Sequence, residues 1–120
     1  MNRRYCLALD LKDDPELILA YRRHHQAVWP EVTDCLRQAG VLGLELYLLD
    51  TRLVMILEVD GRFSFEEKAR LDCDNPKVQE WEQLMWNFQK PLPGARPGEK
   101  WVLMEQIYKM EQIYKMEAPR

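Results

Sequence analysis

Between Arg3 and Asp10 the apolar residues alternate, with Tyr5, Leu7 and Leu9 on one side and Cys6 and Ala8 on the other. A two-residue period belongs to extended chain, so a first strand is predicted there. The period then changes. Asp14 has the character of an N-cap, Pro15 suits the first helical position, and Glu16 suits the first turn. This helix is expected to run to about Val28, because Pro30 biases Trp29 away from helical geometry. Val32, Cys35, Leu36 and Ala39 form a second, shorter helical stripe that ends at Gly40.

Alternation returns from Leu42 to Leu49. Leu42, Leu44, Leu46 and Leu48 share one face, and Gly43, Glu45, Tyr47 and Leu49 share the other. After Asp50 and Thr51, the run from Arg52 to Val59 is apolar on nearly both faces, and the two segments read as a hairpin. A helical pattern resumes from about Phe65 to Asp72. A stronger helix opens with Asn75 and Pro76 and carries Val78, Trp81, Met85 and Phe88 at near-helical spacing. Pro91, Pro93 and Pro97 prevent its continuation, and Trp101 to Lys109 reads as a last β-like segment.

The order strand, helices, strand, strand, helices, strand matches a ferredoxin-like α+β sandwich. Strands 1 and 3 are apolar on both sides, but the helices suffice to cover only one face of the sheet. The open face is therefore expected to meet a second copy in a two-fold homodimer, a dimeric α/β barrel.

Composition adds bounds. The 120 residues suit one domain, expected over 1–109. Met104-Glu105-Gln106-Ile107-Tyr108-Lys109 is followed at once by an identical hexapeptide, Met110 to Lys115. One copy is redundant, so 110–120 reads as a duplicated hexapeptide and tail. A net charge of −3 speaks against a nucleic-acid partner. No apolar run approaches the roughly 20 residues of a membrane span, and the N-terminal residues lack a signal-peptide core. Cys6, Cys35 and Cys73 are far apart in sequence without metal-ligand spacing, so neither a disulfide framework nor a metal site is expected. A cytoplasmic setting follows, with the cysteines as apolar fillers.

The densest polar and aromatic cluster is Tyr21-Arg22-Arg23-His24-His25-Gln26-Ala27-Val28-Trp29-Pro30-Glu31. Tyr21 and His25 are one helical turn apart, while His24 falls on the adjacent stripe with Leu17 and Val28. Periodicity does not choose between the histidines. An imidazole can exchange a proton near neutral pH, and a neighbouring tyrosine can hydrogen-bond a sugar or enol oxygen. Arg22 and Arg23 read as a solvated face or as an anion grip. Trp81 lies on the core stripe of its helix, whereas Trp86 lies off it and needs another burial site, a ligand or a partner chain. Glu45 and Tyr47 project together, as the polar lining of a cavity would.

This cluster, with the Gly40 turn, Leu46-Tyr47-Leu48 and Asn75-Pro76-Lys77-Val78-Gln79-Glu80-Trp81, resembles the L-rhamnose mutarotase family, including its L-fucose branch. The resemblance runs from about Arg4 to Trp81. It implies a dimeric ferredoxin-like protein that interconverts the α and β anomers of a 6-deoxy-hexose without a cofactor. By motif position it gives His25 the catalytic role and Tyr21 a substrate contact. Trp81 corresponds to the first of a tryptophan pair, but Glu82 follows it here. Leu44 and Glu45 occupy the region where a rhamnose-type member can carry a tyrosine. These departures imply a sugar other than L-rhamnose, with L-fucose leading. Trp81 or Trp86 would stack on the sugar, Arg23 or Tyr47 would bind its hydroxyls, and Glu45, Tyr21 or water would partner His25. The competing readings are a cofactor-free monooxygenase of the same fold and a dimer that binds a small molecule without turnover.

Overall fold

The computed structural model describes residues 2–110. Strand β1 (Arg3–Leu11) leads through Asp14, whose carboxylate accepts from the backbone N–H groups of Glu16 and Leu17, into α1 (Pro15–His24). Helix α2 (Pro30–Gln38) follows, then β2 (Val41–Leu49), β3 (Arg52–Val59), α3 (Phe65–Cys73), α4 (Pro76–Trp86), and the short strands β4 (Gln89–Lys90) and β5 (Val102–Leu103). The hairpin turns at Asp50, which takes φ +53° as aspartate can in a tight turn. Gly40 ends α2 at φ +99°, and a Cβ there would come within 2.5 Å of the Asp60 carboxylate. Only glycine fits that turn.

The sheet order is β2-β3-β1-β4, with β5 also on β1 and every pairing antiparallel. Together with the helices this is the ferredoxin-like α+β arrangement. The final strand is divided in two by the proline-rich loop. Gln89 and Lys90 pair with Leu11 and Asp10, and Val102 and Leu103 pair with Ala8 and Leu7. The expected strand from Trp101 to Lys109 is thus much shorter. One further ladder bond, Met104 N–H to the Cys6 carbonyl at 2.7 Å, ends it, because the following residues have no neighbouring strand. Ile107 and Tyr108 of the first hexapeptide are exposed. The second copy, after Met110, lies outside the described residues.

Alternation sends Leu7, Leu9 and Leu11 of β1 and Leu53, Leu57 and Val59 of β3 toward the helices, where all are buried. Two apolar clusters form there. Leu11, Tyr21, Leu53, Trp81, Met85 and Phe88 make one, and Leu7, Val41, Leu57, Val59 and Phe63 make the other. Cys35 is buried, whereas Cys73 is exposed at the end of α3 and so is not the apolar filler expected. No described helix is long and apolar enough to cross a membrane, and no three His, Cys, Asp or Glu side chains gather as a metal site among the described residues.

Candidate functional site

Between the helices and the sheet lies a cavity of about 670 Å³. Its floor is the inward face of the strands, including Leu7, Leu44, Leu46, Met55 and Leu57. Its walls include Tyr21 and His25 from the end of α1, Val32 and Leu36 from α2, and Trp81, Glu82 and Met85 from α4.

Helix α1 ends about a turn earlier than its pattern suggests, and His25 is the cause that can be seen. Its ring Nδ1 lies 2.8 Å from the Tyr21 carbonyl oxygen, so the imidazole caps a carbonyl that a continuing helix would use. The His25 backbone N–H is shared between the Tyr21 and Arg22 carbonyls at 3.3 and 3.2 Å, and the next two N–H groups make i to i−3 bonds. The chain thereby unwinds before Trp29, which is extended ahead of Pro30.

The same contact selects a tautomer. A carbonyl oxygen only accepts, so Nδ1 must carry the proton and a neutral His25 keeps its lone pair on Nε2. Burial lowers the His25 pKa from 6.5, partly countered by this hydrogen bond; the neighbouring His24 lowers it further. A neutral imidazole is the form that can take a proton. His24 packs against Phe88 and Trp81, with ring centroids 5.4 and 6.4 Å away, and is not part of the cavity wall.

Tyr21 is 4% exposed, and its ring centroid lies 4.4 Å from that of His25. The side-chain N–H of Gln89 donates to its hydroxyl at 3.2 Å. Burial pushes the Tyr21 pKa up to about 12, with the Gln89 bond opposing and the Glu82 charge adding to the rise. The phenol therefore stays protonated at neutral pH. Trp81 stands 5.5 Å from His25 and 5.2 Å from Trp29 between ring centroids, closing an aromatic wall.

The remaining candidates lie elsewhere. Glu45 and Tyr47 are joined by a hydrogen bond of 3.1 Å, but they project from the face of β2 opposite Leu44 and Leu46. They pair in register with Ile56 and Val54, away from the cavity. Leu44 is the member of the Leu44–Glu45 pair that lines it. Arg23 is exposed and off the wall. Trp86 is half-buried beneath Lys100, whose ammonium lies 5.2 Å from its ring, and is also off the wall.

Sequence pattern does not single out the polar residues of the wall, Thr33, Arg37, Lys68, Asp72, Glu82, Gln89 and Lys100, of which the last three are linked to Tyr21 directly or through one another. Lys100 pairs with Glu82 at 3.0 Å, carried back to α4 by the proline-rich loop. Gln89 comes from the two-residue strand β4. Glu82 alone had a signal, as the residue after Trp81. Gln89 and Lys100 had no periodicity, because both are brought in by pieces of chain too short to show one.

The family model described as L-rhamnose mutarotase matches residues 4–110. The chain is 46% identical over 108 residues to an L-fucose mutarotase of Xanthomonas campestris pv. campestris, covering 88% of this chain and 86% of that protein. It is 32% identical over 82 residues to an L-rhamnose mutarotase of Burkholderia cenocepacia, covering 67% and 75%. Among solved structures, an L-rhamnose mutarotase from Formosa agariphila superposes with a TM-score of 0.65 at 19% identity, over 91% of this chain and 99% of that one. A dimeric ferredoxin-like protein from an uncultured marine organism gives 0.51 at 13% identity, over 90% and 91%. These two likenesses bear on the fold.

Proposed function

This chain belongs to the L-rhamnose mutarotase family and is a sugar mutarotase, a carbohydrate isomerase, and we propose that its substrate is a 6-deoxy-hexose, L-fucose before L-rhamnose. The preference for L-fucose is supported by the 46% identity to the Xanthomonas protein against 32% to the Burkholderia one. It is also supported by Leu44 and Glu82, both cavity residues, standing where the chain departs from rhamnose-type members. Neither a monooxygenase nor a binding-only dimer is favoured by these relatives.

One observation carries the mechanism: the Tyr21 carbonyl holds the proton on His25 Nδ1, leaving Nε2 bare beside a protonated phenol. His25 Nε2 accepts the proton of the anomeric hydroxyl. Tyr21 donates to the ring oxygen as the bond between it and the anomeric carbon breaks. The aldehyde rotates, the ring recloses on its other face, and both protons return. Proton transfers cancel over the cycle, so the reaction needs no cofactor. A positioned base typically contributes about 10²–10⁴-fold. Trp81 offers an apolar face for the sugar's C–H surface.

Val54 and Ile56, with Tyr47, give the sheet's far face its apolar character, and a homodimer packed through that face is the assembly we favour. The domain is taken as 1–109, a boundary supported by the family match ending at 110. A cytoplasmic location accords with three free cysteines.

Saturation-transfer NMR on equilibrated L-fucose tests the central claim. Exchange between the anomeric proton signals should be accelerated by the protein, fall about 10²–10⁴-fold in His25→Ala, and persist in His24→Ala. Equal loss in both variants would remove His25 from the proton transfer, and faster exchange of L-rhamnose than of L-fucose would reverse the order of sugars.

A further inference from the structure

Glu82 and Trp86 lie one turn apart on α4, and the ammonium of Lys100 contacts both. It donates to Glu82 Oε1 at 3.0 Å and to the Glu82 carbonyl oxygen at 3.4 Å, and it stands 5.2 Å from the centre of the Trp86 ring. These contacts occupy the donors that an ammonium has. Lys100, whose side chain is 14% exposed, is therefore committed to holding Glu82 and has no donor to spare for a ligand.

Glu82 itself is open. Its side chain is 38% exposed, it belongs to the cavity wall, and its second oxygen, Oε2, makes no hydrogen bond among the described residues. Its charge helps to raise the Tyr21 pKa, so the carboxylate stands at the same end of the cavity as the phenol. A carboxylate only accepts, and the abundant donors of a sugar are its hydroxyls. A hydrogen bond from a hydroxyl to a carboxylate is charge-assisted and belongs to the stronger polar contacts. Fixing the carboxylate beforehand through Lys100 spares part of the ordering cost of binding.

We infer that Glu82 is a specificity-determining residue: with Oε1 held by Lys100, its Oε2 accepts from one ring hydroxyl of the sugar, separate from the two oxygens served by Tyr21 and His25. Trp81, the preceding residue of α4, offers the same sugar an apolar face, so neighbouring positions of one helix meet its C–H and O–H surfaces. This rests on the 6-deoxy-hexose reading above and adds to it a requirement for one particular hydroxyl.

The test measures anomeric exchange of L-fucose and of its 2-, 3- and 4-deoxy derivatives, in the wild-type protein and in Glu82→Gln. The glutamine oxygen can keep the Lys100 contact, which turns the acceptor at Oε2 into an amide donor. For L-fucose below saturation the variant should exchange roughly tenfold more slowly, the scale of one hydrogen bond to a charged group. For one deoxy sugar the loss should be several-fold smaller than for the others, because the hydroxyl read by Oε2 is already gone. The variant also removes a charge near Tyr21, but that change is common to all the sugars and cancels in the comparison. An equal loss across all of them would overturn the inference.

A second measurement needs no variant fold. Saturating L-fucose should shift the assigned side-chain carboxyl-carbon signal of Glu82 in the wild-type protein, and an unmoved signal in a protein that still exchanges L-fucose would overturn the inference while sparing the substrate reading. Absence of wild-type exchange with L-fucose would overturn both.

Discussion

The two faces of the sheet are built from the same three long strands, yet they differ in what they can do. On the face toward the helices, Leu9, Leu57 and Val59 are almost fully buried, and the same layer opens into a cavity walled by Tyr21, His25 and Trp81. The opposite face carries Glu45 and Tyr47, which bond to each other while Tyr47 remains 56% exposed. Both faces hold aromatic and ionisable groups. Only the first surrounds them with apolar walls, and that changes their chemistry. Burial lowers the pKa of His25 and raises that of Tyr21, so a base and a hydrogen-bond donor coexist at neutral pH.

The largest expected effect tests the packing side of this contrast. Leu57→Ala removes a side chain that is 1% exposed and should cost about 2–5 kcal/mol in urea unfolding. A loss below about 1 kcal/mol would mean that the helical layer collapses easily onto the sheet.

The far face is tested next. If the proposed homodimer packs through this face, Ile56→Asp, placed between Cys6 and Glu45 in the register, should shift sedimentation from dimer to monomer, since an unpaired charge at an apolar interface is strongly disfavoured. An unchanged sedimentation coefficient would leave that face as solvent-facing surface.

A pH series sharpens the comparison at His25. Because its folded pKa lies below 6.5, the neutral base should survive below that pH, and exchange should fall only at still lower values. Stability must follow with a definite sign. Just below pH 6.5 the unfolded chain protonates this histidine while the folded protein does not, so stability drops as pH falls through that window and is recovered above it. The slope of the urea midpoint against pH between 5 and 7 should be smaller in His25→Ala than in the parent protein. An unaltered slope would show that burial at this position does not govern the titration.

The smallest expected effect is at Tyr47. Tyr47→Phe removes its hydrogen bond to Glu45 on the far face and should change anomeric exchange by less than about twofold, the scale of the roughly 0.5 kcal/mol that surface substitutions usually stay within. A tenfold loss would bring the far face into the active site.

Much of the fold could be read along the chain because its signals are local. Asp14 and Asn75 cap α1 and α4 with their own side chains, Gly40 turns where only glycine fits, and the period of β1 to β3 sorts inward from outward residues. Two kinds of feature escaped. The pattern of Trp101 to Lys109 predicts a long final strand, but only Val102 and Leu103 find partners on β1, and the two residues of β4 pair there ahead of the proline-rich loop. Gln89 and Lys100 reach the cavity from this broken segment, where no repeating pattern marks them.

Backbone periods and capping over a few residues are enough to set the order of elements, the inward leucine stripe, and the spacing that places Tyr21 one turn before His25. Tertiary structure alone decided which polar groups share a cavity. Strand alternation sent Glu45 and Tyr47 outward, the proline-rich loop carried Lys100 back to Glu82, and β4 laid Gln89 against Tyr21. The physical reason is distance along the chain. Gln89 meets a hydroxyl 68 positions earlier, and no local preference encodes that meeting, only the packing of the whole sheet against its helices.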